Sequence, residues 1–164
     1  MLQEWKQRAE DSAAQALLAD LRYRPIAPTE VRLERSAAEI AAFKELEKEF
    51  GCHVEKEVQV PAGQGWLRFQ GAVVRGEDLV GIDIREHHGR GIAYFQIEHL
   101  LDLCAKLKFP RFQKCVVYLV VVSDGPVDAD SAVKTKLEHL LSASGVEGYV
   151  RMFRSNELRA RFSL

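Results

Sequence analysis

The run Cys115-Val116-Val117-Tyr118-Leu119-Val120-Val121-Val122 constrains this chain more than any other segment. It carries no charge, and β-branched residues dominate it. Successive strand side chains point to opposite faces, so a strand that is apolar on both has to be covered on both. That places it in the middle of a sheet with helices above and below, beside a parallel neighbour that only a helical crossover can supply. The run is far shorter than the roughly 20 residues that cross a bilayer, so it predicts a buried strand and no membrane partner.

A chain of 164 residues is long enough for one domain with a full core, and residues 1–164 are read as a single domain. With 47% hydrophobic and 29% charged residues it has globular composition, which excludes disordered and low-complexity classes. Its 23 basic and 24 acidic side chains leave a formal net charge of -1, without the basic excess of a nucleic-acid coat protein. Any polyanion would have to be met locally. The first residues, Met1-Leu2-Gln3-Glu4-Trp5-Lys6-Gln7-Arg8, mix acids and bases with no apolar core, unlike a secretory signal, and a cytoplasmic protein is expected. Cys52, Cys104 and Cys115 are odd in number, widely spaced and outside any CxxC pair, which suits reduced, buried thiols better than a disulfide frame or a zinc site.

Leu2, Trp5, Ala9, Ala13, Ala16, Leu17 and Leu21 predict a peripheral amphipathic helix, stopped by Pro25 and Pro28. Ser36-Ala37-Ala38-Glu39 is a capping box; the helix it opens carries Ile40, Phe43, Leu46 and Phe50 and closes before Gly51. The period then changes to two. Val54, Val58 and Val60, then Trp66 to Val74, then Leu79 to Arg85 predict a three-strand antiparallel meander with turns at Gly63-Gln64-Gly65 and Gly76-Glu77-Asp78. In the third strand Val80, Ile82 and Ile84 share one face, and Gly81, Asp83 and Arg85 the other. A helix through Ile97, Leu100, Leu101, Cys104 and Leu107 leads to the apolar strand. A last long helix follows, capped by Asp128 or Asp130 and ended by Gly145, and then a strand over about Gly148 to Phe153.

Several polar segments invite a function and have a plain alternative. Arg151, Arg154, Arg159 and Arg161 outnumber Glu157 near the C-terminus, as a phosphate-facing patch or as a solvated edge and tail. His87-His88-Gly89-Arg90-Gly91 is a surface loop in which Arg90 could meet an anion; adjacent histidines on extended chain point apart and do not readily share an ion. Trp66 and Phe69 suit packing better than base stacking. The sequence holds no P-loop and no GxGxxG, and shows no recognisable Ser-His-Asp or Cys-His pattern.

The order helix, three-strand meander, helix, strand, helix, strand, with the acidic-x-basic triplet Asp83-Ile84-Arg85, resembles the PD-(D/E)XK nuclease superfamily over about residues 36 to 153. The resemblance implies an α/β fold of the restriction-endonuclease-like type, its central mixed sheet flanked by helices. Residues 1–35 would be a peripheral helix and linker, 36–153 the nuclease-like core and 154–164 a C-terminal tail. It also implies a site at a fork in the sheet, where an aspartate on the second strand and an acidic-x-lysine on the third hold divalent metal and direct water at a phosphodiester. Asp83 stands at the acidic metal ligand. Arg85 replaces the lysine, and its guanidinium can clamp phosphate but stays protonated. Gln70 replaces the first aspartate and offers oxygen without charge. The helix before the meander often adds a glutamate, for which Glu39, Glu47 and Glu49 are candidates that spacing does not separate, with Glu47 taken as second metal ligand. Gln96 stands where some members contribute a polar side chain. These residues imply a nuclease-like protein of bacterial-cytosol type with a weakened or lost phosphodiesterase site. Mg or Mn would be its cofactor if active, and nucleic acid its partner, DNA ahead of RNA. The alternative is a non-catalytic module on the same fold that binds nucleic acid or protein.

Overall fold

The computed structural model describes residues 36–62, 65–106, 109 and 111–162. The helix expected over residues 2 to 22 lies outside them. The elements in order are α1 (Ala37–Phe50), β1 (Glu55–Ala62), β2 (Gly65–Arg75), β3 (Asp78–His87), α2 (Tyr94–Lys106), β4 (Cys115–Ser123), α3 (Val127–Ser144), β5 (Gly148–Arg154) and α4 (Ser155–Phe162). The five strands form one mixed sheet in the order β1-β2-β3-β4-β5. β1, β2 and β3 make the antiparallel meander, while β4 runs parallel to β3 and β5 parallel to β4.

The helices cover both faces, as the apolar β4 requires. On one face Phe43 and Leu46 of α1 and Leu158 of α4 pack with Val80, Ile82 and Val120. On the other Ile97 and Leu101 of α2 and Val133 and Leu137 of α3 pack with Val117, Leu119 and Val121. Local signals act where the sequence places them. Ser36 accepts a hydrogen bond from the Glu39 amide at 3.1 Å, and Gly51 closes α1 at φ 69°, a conformation that favours glycine. Gly145 does the same for α3.

Three expectations are corrected. Neither Asp128 nor Asp130 caps α3: its N-cap is Pro126, and Asp130 turns away to bond Ser123 and Arg154. His87 is no loop residue; it ends β3 in register with Ser123 of β4 and is almost fully buried. The segment after residue 154 is no bare tail, because α4 follows and buries Leu158 against α1. Among the described residues, no helix is long and apolar enough to cross a membrane.

Candidate functional site

The site begins with a fault in the meander. The β1–β2 ladder pairs Lys56 with Gly71 and resumes with Val58 and Phe69, stepping over Glu57 and Gln70. Glu57 has a positive φ of 53°, uncommon for a residue with a Cβ, and its carboxylate takes Arg68 at 2.6 Å. The fault reverses side-chain parity. Val54 joins the core under α1, whereas Val58 and Val60 join the one under α2 and α3. On β2, a Cβ on Gly71 would meet Phe43 of α1, whereas the Phe69 ring lies on the opposite face and fills the space that a Cβ on Gly81 would need. The β2–β3 ladder accordingly stops at Gly71 and Ile82, while β3 keeps its partner β4 as far as His87 and Ser123. The two strands part there, beside Gln70 and Asp83.

Four of the five residues singled out from the sequence meet at this parting. Gln70 Oε1 accepts the backbone N–H of Ile84 and stands in for the strand partner that β2 has withdrawn. Asp83 and Arg85 share the face of β3 opposite Ile82 and Ile84. Arg85 Nε donates to Asp83 Oδ2 at 2.9 Å and Arg85 Nη2 to Asp83 Oδ1 at 3.3 Å, so the guanidinium holds both carboxylate oxygens. From the first turn of α2 Gln96 accepts from Arg85 Nη1. The Asp83 side chain is 13% exposed and that of Arg85 26%, so the pair is half-shielded from solvent screening.

Glu47, the expected second metal ligand, belongs elsewhere. It sits on α1, across the sheet from the Asp83 face. There Lys56 Nζ donates to its Oε1 at 3.0 Å, and His53 Nδ1 lies 2.9 Å from its Oε2. Burial pulls the Glu47 carboxyl up, but Lys56, by hydrogen bond and charge, with hydrogen bonds from His53 and the Val54 amide, outweighs it and holds the group below the usual carboxylate range. Of the other glutamates of α1, Glu49 pairs with Arg151.

The set at the parting does not fit a divalent cation. It holds one carboxylate, both of whose oxygens face a fixed positive charge, and an amide oxygen already engaged by backbone; a magnesium site needs anionic oxygen free to replace water. What the arrangement does well is satisfy itself: carboxylate, guanidinium and amide form a chain from the strand gap to α2.

A second polar cluster, which the sequence did not reveal, lies at the same end of the parallel strands. Ser123 Oγ donates to Asp130 Oδ1 at 2.5 Å, accepts from the Gly125 amide at 3.2 Å, and lies 3.3 Å from His87 Nδ1. Arg154, the last residue of β5, donates to Asp130 Oδ2 at 2.6 Å. The single hydroxyl proton goes to Asp130, so the hydrogen bond between His87 and Ser123 has to be donated by His87 Nδ1. Serine thus stands between histidine and aspartate, and is fully buried; the order is that of a clasp between β3, β4, β5 and α3, not of an activated nucleophile. Burial raises the Asp130 carboxyl, but hydrogen bonds from Ser123 and Arg154 and the charges of Arg154 and His87 bring it below its usual range. Strand register alone could have exposed this cluster, since His87 and Ser123 are strand-end partners.

Three of the four C-terminal arginines are also engaged. Arg151 pairs with Glu49, Arg154 with Asp130, and Arg161 with Glu45 at 2.7 Å. That leaves little of the local positive excess for a phosphate. Comparison of the chain with protein families, curated proteins and solved structures returns no match.

Proposed function

We propose that this chain is a PD-(D/E)XK-like domain that works by binding and not by hydrolysis, in a cytoplasmic setting. Support for the family comes from the meander, the helical crossover to a parallel neighbour, and the parting of β2 from β3 beside Gln70 and Asp83. Support for the loss of chemistry comes from one observation above all: Arg85 holds both oxygens of Asp83 and is itself held by Gln96. A metal-directed water needs free anionic oxygen, and a lysine-like base needs a group that can lose its proton; the site offers neither.

The partner class implied by the resemblance is nucleic acid, DNA ahead of RNA, met by the exposed Arg90 in the loop between β3 and α2. A protein partner is the second reading, favoured by Phe95 and Val127. They are 72% and 68% exposed at the starts of α2 and α3, which both follow the C-terminal ends of parallel strands and so border the site. The test is anisotropy of a labelled DNA duplex in magnesium at low and high salt, with the wild type and Arg90→Ala, followed by a gel of the recovered duplex. Reversible, salt-sensitive binding that weakens in the variant, with intact DNA, is expected. Cut DNA overturns the proposal, and intact DNA without binding moves the partner to protein.

A further inference from the structure

Cys104 in the last turns of α2 and Cys115 at the start of β4 have ten residues of chain between them, yet they line the same cavity. Its volume is about 630 Å³, and Phe109, Phe112, Lys114 and Glu147 also border it. Both cysteines are free thiols, 9% and 8% exposed, they belong to the same core cluster, and the two sulfurs interact electrostatically. Two interacting thiols at the wall of a cavity with a charged rim are more than a pair of small core residues. A core role needs neither the mutual contact nor the access. The Cys115 thiol is pushed far up, first by its interaction with Cys104 and then by burial, while the Gly81 backbone acts the other way. A thiol pushed up in this way is a poor nucleophile, so Cys115 is given the resolving role and Cys104 the attack on an incoming sulfur.

We propose that Cys104 and Cys115 form a reversible redox pair, oxidised by a low-molecular-weight disulfide that enters this cavity. Cys104 sulfur attacks one sulfur of the reagent, whose S–S bond breaks; the first reagent thiol leaves with the Cys104 proton. Cys115 sulfur then attacks the Cys104 sulfur of the mixed disulfide and expels the second reagent thiol, which takes the Cys115 proton. Two electrons pass from the pair to the reagent. One bond remains, pinning the C-terminal half of α2 to the first residue of β4. The same helix offers Gln96 to Arg85 from its first turn, so the bond would hold in place the element that carries one end of the Asp83 clamp.

The test uses the full chain, equilibrated natively with glutathione and graded glutathione disulfide, quenched with acid, alkylated and peptide-mapped. The expected result is a peptide linking Cys104 to Cys115, loss of two alkylatable thiols, and recovery of both with dithiothreitol. Cys52→Ser should leave that result unchanged, and the oxidised chain should unfold at a higher urea concentration than the reduced one. Thiols that react only after urea is added, or a glutathione adduct that stays on Cys104 without giving the linked peptide, would overturn the proposal. The wild-type map decides this even if Cys104→Ser fails to fold.

Discussion

A carboxylate and a guanidinium two positions apart on one face of a strand neutralise each other wherever the backbone stays extended, and at Asp83 and Arg85 that local geometry determines the chemistry left to the site. Removing one partner of a half-buried pair leaves the other without compensation. Arg85→Ala should destabilise the fold by about 1–3 kcal/mol in urea unfolding. Asp83→Ala should do the same, and the double variant should lose clearly less than the sum of the two. Additive losses would mean that the ion pair does not couple them. Asp130 makes a second prediction through its lowered carboxyl. A group whose folded pKa is depressed contributes stability that is present above its unfolded value, near 4, and lost as the pH falls through the folded one. Ser123→Ala removes a hydrogen bond to that carboxylate and orphans the Gly125 amide. It should reduce stability by about 1–3 kcal/mol at pH 7, and by less in acid once Asp130 is protonated. A deficit that is constant with pH would place the effect in packing instead.

At the scale of elements, much was legible because single residues carry the signal. Ser36 with Glu39 marks the start of α1, Gly51 and Gly145 mark helix ends, and the alternation of Val80, Ile82 and Ile84 assigns the faces of β3. The fault at Glu57 and Gln70 was not legible. Gly71 stands beside it, but an isolated glycine does not say what it admits: the fault arises because Phe69 must fill the space over Gly81 on one face while Gly71 admits Phe43 on the other. Such a fit between three elements has no local sequence mark. Gly81→Ala should test it: the new methyl collides with the Phe69 ring and should destabilise the fold by about 1–3 kcal/mol, with partial rescue when Phe69→Leu is added. A stable Gly81→Ala variant would show that the ring is free to move. Long-range pairing hid the rest. Glu47 looked available as a ligand because spacing along a helix does not show His53 and Lys56 closing on it. Likewise, Arg151, Arg154 and Arg161 read as an excess of charge until Glu49, Asp130 and Glu45 came to meet them.

At the scale of the whole molecule, two cores on either side of a five-strand sheet hold the polar groups at one end of the parallel strands and the dithiol near the other. We propose that the first of these is a satisfied clamp and not a metal-loaded phosphodiesterase site. Titration of the purified chain with manganese, followed by water relaxation or electron paramagnetic resonance and run beside Asp83→Ala, tests this without any guess at a substrate. Weak, non-saturating behaviour that is the same for both proteins is expected. Saturable binding by the wild type that disappears in Asp83→Ala would contradict it, because Asp83 would then have exchanged Arg85 for a metal ion.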